Sequence, residues 1–208
     1  MGKVGAGGDV SIGLDVVAEK IFIKHLQNFG KIDSEECGEV GEGAYKITLD
    51  PLDGSNNFKS NFPYFGSSVA LELDGDVKVG IVANLANDTL FLKTKQRFQS
   101  TKLDQINFID IHPNPYASVG IFERAYSSKK YAQKLKNSGY KYRIPGATAL
   151  SLAYTNQVLF FLYEGDFRSY DIRAGMFMCE GLYQHKEKDL TIICQELNHF
   201  EKLKKLLL

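Results

Sequence analysis

The chain has 208 residues, with 25 Lys+Arg against 25 Asp+Glu and no formal net charge. That balance argues against a dedicated binder of nucleic-acid polymer, which needs a basic surface to neutralise phosphates. No apolar run approaches a membrane span and no basic-then-apolar leader opens the chain, so the expectation is a soluble, cytoplasmic protein with no membrane partner.

Residues 2–13 are glycine-rich. Gly5-Ala6-Gly7-Gly8-Asp9-Val10 looks at first like a dinucleotide fingerprint. Val10 stands where the third glycine is needed and no strand precedes it, so the stretch reads as a flexible lead-in or as a loop near a site. Asp15 to Phe29 has helical spacing: Ala18, Phe22, Leu26 and Phe29 form a stripe that Val17 and Ile21 widen. Asp15 suits the first turn and Gly30 the C-terminal stop. Asp33-Ser34-Glu35-Glu36 then reads as a polar connection, followed by a loop with Gly38, Gly41 and Gly43.

From Tyr45 the pattern turns to strands. Lys46–Leu49 leads into the acidic run Asp50-Pro51-Leu52-Asp53-Gly54-Ser55. Ser67–Leu73 and Val77–Ala83 flank Asp74-Gly75-Asp76, a strong hairpin signal. Asn87-Asp88 turns into a strand at Thr89–Leu92. Residues 93–115 read as irregular, with another strand around Phe108–Ile111. Ala117–Phe122 is a strand and Ser128–Asn137 a helix ending at Gly139. Gly146–Tyr154 is helical, Val158–Tyr163 an apolar strand, Ile172–Tyr183 a helix, Leu190–Cys194 a strand and Glu196–Leu207 an amphipathic helix. Strands that first meander and later alternate with helices imply a layered α+β architecture without repeats.

Cys37, Cys179 and Cys194 form no C-x-x-C pair and no disulfide framework, and acidic neighbours make Cys37 a poor nucleophile. The four histidines show no zinc-ligand spacing.

The chemistry concentrates at Asp50–Ser55. Two carboxylates leaving one strand raise each other's pKa unless a cation compensates. All-oxygen ligands select hard ions, and a site that also holds phosphate favours Mg²⁺. Gly54 permits close approach of an anion, and Ser55 can open a helix whose free amides hold phosphate. An ordinary surface turn has the same composition. The order of the residues, continued by Asn57-Phe58, decides against it.

That run resembles the signature of the inositol monophosphatase superfamily, which includes inositol monophosphatases, archaeal-type fructose-1,6-bisphosphatases and bisphosphate nucleotidases. Leu14-Asp15 with Ala18-Glu19 resembles its first acidic helix, Ser34-Glu35-Glu36 its glutamate pair, and Tyr170-Asp171-Ile172-Arg173-Ala174-Gly175 its second aspartate motif. The likeness covers about residues 9 to 195. It implies an α/β/α/β/α sugar-phosphatase sandwich with a mostly antiparallel first sheet and a mixed second sheet. One phosphatase domain would span residues 1–208, with a metal-site half at about 9–92 and a substrate half at about 116–208.

The resemblance also implies roles. Glu35, Asp50 and the Leu52 carbonyl would hold a first Mg²⁺, and Asp50, Asp53 and Asp171 a second, with a third ion allowed. The amides of Gly54 and Ser55 would bind phosphate. The Ser55 hydroxyl, paired with Asp15, would orient and deprotonate the attacking water. Gly146, Ala147 and Thr148 would form a substrate wall, with Glu164 and Arg143 as further substrate contacts. Each has a plainer alternative: Asp15 and Asp171 as helix caps, Glu35 and Glu36 as solvated loop charges, Arg143, Arg168 and Arg173 as surface arginines rather than partners of a second phosphate.

The implied function is Mg²⁺-dependent hydrolysis of a sugar or polyol phosphate monoester, with fructose-1,6-bisphosphate or inositol 1-phosphate as substrate. The alternatives are a 3′(2′),5′-bisphosphate nucleotidase and a non-catalytic relative that acts by binding a partner. Family members are expected as homodimers. The chain starts close to Asp15, which implies a truncated N-terminal helix or a native start upstream of Met1. Tyr170 replaces a usual tryptophan. Arg173 replaces a small residue: pointing inward it would compete with metal, pointing outward it would serve substrate.

Overall fold

The computed structural model describes residues 13–187 and 189–208. The glycine-rich run Gly5–Val10 lies outside the described residues. The first half is α1 (Leu14–Leu26), β1 (Lys31–Ser34), β2 (Gly38–Val40), β3 (Tyr45–Asp53), α2 (Ser55–Lys59), β4 (Gly66–Leu73), β5 (Asp76–Asn84), β6 (Thr89–Thr94), β7 (Phe98–Lys102) and β8 (Ile109–Asp110). The second half is β9 (Gly120–Glu123), α3 (Lys129–Asn137), β10 (Tyr142–Arg143), α4 (Thr148–Ala153), β11 (Phe161–Glu164), α5 (Ser169–Met178), β12 (Tyr183–Glu187), β13 (Leu190–Cys194) and α6 (Leu197–Leu207).

The first sheet runs β2-β1-β3-β4-β5-β6-β7-β8. Its pairings are antiparallel except β1 with β3, which is parallel. The second sheet, β10-β9-β11-β13-β12, mixes parallel pairs at β9 with antiparallel pairs at β13. Phe22, Ile23 and Leu26 lay α1 on Ile32, Ile47 and Leu49 of the first sheet. Between the sheets, Leu150 of α4 and Ala174 and Met178 of α5 meet Ala70, Val82 and Phe91, while Leu152 meets Ile121, Phe161 and Ile193. Leu135 of α3 with Leu203 and Leu207 of α6 covers the far face over Phe122, Leu162 and Ile192. This is an α+β sandwich of five layers, α/β/α/β/α.

Burial of about 25 cal/mol per Å² of apolar surface holds these layers together. The two inner helices approach closely because Gly175 carries no side chain. A Cβ there would lie 2.6 Å from the Leu152 Cβ.

The structure departs from the sequence reading in several places. Helix α1 ends at Leu26, with Gln27 as its cap, so Gly30 is not its stop. Gly30 instead lets the chain pass against β3, where a Cβ would sit 2.3 Å from the Tyr45 carbonyl oxygen. Val17 and Ile21 face outward rather than widening the buried stripe, and Phe29, expected in the stripe, is exposed beyond the helix. The fully buried residues of α1 are Asp15 and Glu19. The connection expected at 33–43 contains β1 and β2. Their alternation is polar apart from Ile32 and Val40, so the period-2 signal is faint. Residues 93–115 carry β7 as well as β8. Helix α5 starts at Ser169 and stops at Met178, and the expected end of that helix, Tyr183, belongs to β12, an exposed edge strand with a mostly polar sequence.

Candidate active site

The acidic run is not a turn after a strand; it is the end of the strand. β3 continues through Asp53, buried from Ile47 onward. The register against β4 shifts between Asp50 and Asp53, so Pro51 and Leu52 form a bulge. A proline, which has no N–H for a ladder, fits that irregularity. The bulge is braced on both sides. Ser67 Oγ donates to the Pro51 carbonyl at 2.8 Å, and the Leu52 N–H donates to Asp50 Oδ1 at 2.9 Å.

Gly54 follows with φ +85°, in the left-handed region. A Cβ there would be strained by the dihedral and would stand 2.9 Å from the Ala147 Cβ and 3.0 Å from the Tyr64 carbonyl oxygen. Ser55 opens α2, so amides without helical partners face the cleft at its first turn. Asn57 ties this turn to the second half of the chain, donating from Nδ2 to the carbonyls of Tyr64 and Pro145, both at 2.7 Å.

Glu35 arrives from the loop after β1. Its N–H donates to the Leu49 carbonyl at 3.1 Å. Glu19 of α1 accepts from Ser34 Oγ and, at 2.9 Å, from the Cys37 N–H, which pins both sides of Glu35. Asp171 sits in the first turn of α5. One oxygen each from Glu35, Asp50 and Asp171 lies within 4.8 Å of the others. Asp53 stands beside this group, its Oδ2 accepting from the Leu150 N–H at 3.0 Å, so its carboxylate also stops the N-terminal end of α4.

The electrostatics match the crowding. Burial pushes Glu35 up to about 7, despite the opposing Arg168 guanidinium. Burial raises Asp50 well above the usual carboxylate range, and Asp53, Glu35 and Asp171 add to it. Asp53 is raised for the same first reason, against the amides that it accepts from. Like charges gathered in a buried place favour protonation or a counter-cation. Carboxylate oxygens are the donors that a hard divalent cation takes, so Glu35, Asp50 and Asp171 fit one.

These residues line one cleft of about 150 Å³, together with Asp15, Glu36, Leu52, Asp53, Gly54, Ser55, Asn56, Gly146, Thr148 and Arg168. Three of the expected substrate contacts stand elsewhere. Ala147 is packed in the core against Gly54. Arg143, on the short edge strand β10, lines a neighbouring apolar groove with Phe62 and Ile144. Glu164 ends β11 and does not line the cleft.

Arg173 does neither thing that its sequence position suggested. Nε donates to Glu72 at 2.8 Å and Nη2 to the Gly75 carbonyl, away from the cleft. Cys37 is pushed up to about 11, by burial first and then by Glu19, in line with its reading as a poor nucleophile.

Glu123 has no role in the sequence reading, and the structure puts it against the turn at Gly146 and helix α4. This buried carboxylate accepts from the Gly146 N–H at 3.0 Å and from Ser151 Oγ. A single glutamate ending an apolar strand was the only signal. Glu19 and Asn57 belonged to quoted motifs, but their bracing work needs the fold to be seen. Arg168, open to reading as a phosphate contact or a surface arginine, lines the cleft with its side chain 41% exposed.

Comparison with known proteins agrees with this geometry. The sequence profile of the inositol monophosphatase family matches residues 7–182. A fructose-1,6-bisphosphatase/inositol-1-monophosphatase of Methanocaldococcus jannaschii is 27% identical over 150 residues, covering 71% of this chain and 58% of that protein. The Nus factor SuhB of Xylella fastidiosa is 27% identical over 181 residues, covering 82% of this chain and 66% of that protein. The chain thus spans less than two thirds of the length of either relative. The solved structure of a Thermotoga maritima IMPase superposes with a TM-score of 0.76 at 24% identity, over 95% of this chain and 83% of that one. Profile, fold and the acidic run on its bulged strand agree: the chain belongs to the inositol monophosphatase family.

Proposed function

We propose that this protein is a metal-dependent phosphomonoesterase acting on a sugar or polyol phosphate. The observation that carries the reading is the convergence of Glu35, Asp50 and Asp171 oxygens within 4.8 Å, beside the first turn of α2. Read so, residues 1–208 act as one phosphatase domain. Glu35, Asp50 and the Leu52 carbonyl would hold one divalent cation, and Asp50, Asp53 and Asp171 a second; Mg²⁺ suits the donors and a phosphate ligand. Such ions lower the pKa of water and offset charge on a leaving oxygen.

The chain's own groups do the rest. The Gly54 and Ser55 amides hold the phosphate oxygens and fix phosphorus in the cleft. Ser55 Oγ, paired with Asp15, orients the attacking water, and the water's proton passes to the Asp15 carboxylate. The Gly146–Thr148 turn, held by Glu123 and Asn57, positions the alcohol that leaves. The dual name of the M. jannaschii relative supports fructose-1,6-bisphosphate and inositol 1-phosphate as first substrates to try.

Phosphate release from a panel of sugar, inositol and nucleotide phosphates tests this. Release should require Mg²⁺ and stop with EDTA. Asp53→Asn should abolish it with the fold retained, since an amide oxygen still accepts from Leu150. No release from the whole panel with metal bound would overturn the reading. A preference for a 3′,5′-bisphosphate nucleotide would redirect it.

A further inference from the structure

Arg168 is the cation that the structure itself places among these carboxylates. Its backbone caps α5, with φ −84° and ψ 142°. From there the side chain folds back over the first turn of its own helix. Nε donates to Asp171 Oδ2 at 3.0 Å and Nη2 to Asp171 Oδ1 at 3.1 Å. That is the planar fork that guanidinium makes with carboxylate. A local pair three residues apart would be ordinary at a helix start. The third contact is not local: Nη1 lies 2.8 Å from Glu35 Oε1, on a loop of the other half of the chain. One guanidinium therefore bridges two of the three members of the acidic cluster.

This bridge and a bound cation compete for the same oxygens. Both oxygens of Asp171 and one of Glu35 are engaged by N–H groups at hydrogen-bond distance. A divalent ion about 2.1 Å from the same oxygens would stand within about 5 Å of the guanidinium. Two positive centres at that separation repel. Arg168 has somewhere to go: its side chain is 41% exposed, against 10% for Asp171, so it can swing to solvent without opening the core.

We propose that Arg168 is a displaceable internal counter-cation that sets the affinity of the cluster for its metal. The proposal rests on the reading of Glu35 and Asp171 as metal ligands. The bridged state holds the two halves of the cleft together when metal is scarce, and metal binding must release it. Apparent affinity then falls by the fraction of molecules with the bridge open, about tenfold if the bridge is closed nine times in ten.

The test uses metal-free wild type, Arg168→Gln and Arg168→Lys, with two readouts that need no turnover. Mg²⁺ is titrated calorimetrically, and the melting temperature is taken in EDTA and in saturating Mg²⁺. Arg168→Gln should melt lower in EDTA, bind Mg²⁺ about tenfold more tightly, and gain more on adding Mg²⁺. Arg168→Lys keeps the charge but cannot span both carboxylates, so its affinity should lie between the two.

Equal Mg²⁺ affinity for Arg168→Gln and wild type would overturn the proposal. So would a lysine variant indistinguishable from wild type, because a general field effect would then suffice. If Arg168→Gln does not fold, the lysine comparison decides alone. If wild type and both variants bind no divalent cation, the metal reading itself falls, an outcome distinct from binding that ignores Arg168.

Discussion

The two walls of the cleft are built on different principles. The wall of β3 and α2 comes from one continuous run, Asp50 to Ser55, locked by its neighbours in the first sheet. The facing wall is assembled from pieces: Glu123 from β9, Gly146 and Thr148 at the start of α4, and Arg168 and Asp171 at the start of α5. Among the described residues, Asn57 to Pro145 and Asp53 to Leu150 link the two walls, and Arg168 reaches Glu35 on the loop after β1. The continuous wall fixes where Asp50, Asp53 and the first amides of α2 sit. The assembled wall can vary its pieces independently, which suits it to setting what else enters.

The sharpest break between them should come from the continuous wall. Asp50→Asn removes a carboxylate shared by both proposed cation positions, and phosphate release should fall by about 10³-fold or more. Stability should move the other way. Burial among Asp53, Glu35 and Asp171 disfavours the ionised Asp50, so the metal-free variant should melt higher than wild type, as often where active-site charge is removed. A variant that loses activity and also melts lower would show that Asp50 is needed for the fold. Gly54→Ala comes next. The left-handed φ and the contacts at 2.9 and 3.0 Å should together lower stability by about 2–4 kcal/mol, measured by urea unfolding.

The same contrast explains what the sequence disclosed. Asp50 to Ser55 was legible because every residue needed for its geometry is adjacent: a proline at a bulge, a glycine at positive φ, a serine at a helix start. Amphipathic or apolar elements such as α6 and β13 were legible for a similar reason. Polar edge elements were not. β1, β2 and β12 pair with strands close by in sequence, but their side chains carry little apolar alternation to announce it. The assembled wall was legible only in part. Asp171 stood in a quoted motif, whereas Glu123 and Arg168 acquire meaning from residues more than twenty and more than one hundred positions away.

Glu123 gives the assembled wall its own prediction. Glu123→Ala would leave the Gly146 N–H and the Ser151 hydroxyl without their acceptor, a cost of about 1–3 kcal/mol. The turn proposed to position the leaving alcohol would loosen, so KM should rise about 10-fold with a smaller change in kcat. A fall in kcat alone, with KM unchanged, would place Glu123 in the chemistry rather than in the wall.

The acidic cluster also predicts how metal-free protein responds to pH. Glu35 is raised to about 7 by burial, and Asp50 and Asp53 are raised too. Between about pH 4.5 and 7 the unfolded chain has lost the Glu35 proton that the folded chain keeps. The folded state then binds more protons, so stability falls as pH rises, by up to about 1.4 kcal/mol per pH unit for each such group. In EDTA the melting temperature should drop between pH 5 and 7.5, then level off for Glu35. A rise over that window would contradict the crowding of charge.

The smallest effect on activity should come from Arg173, only five residues beyond Arg168 on the same helix. Its partner Glu72 is buried on β4 and also accepts from Thr48 Oγ1 at 2.9 Å. Arg173→Met therefore leaves that carboxylate with one hydroxyl donor and whatever solvent reaches past an arginine that was 40% exposed. Full burial of an unpaired charge would cost several kcal/mol; partial exposure reduces this to about 1–2 kcal/mol, read from urea unfolding. Phosphate release and Mg²⁺ affinity should stay within twofold of wild type, because nothing in this contact reaches the cleft. Arg168→Gln should do the reverse, changing Mg²⁺ affinity about tenfold. If Arg173→Met shifted metal affinity as much as Arg168→Gln, the two arginines would act through their charge alone, and the bridge from Asp171 to Glu35 would lose its special role.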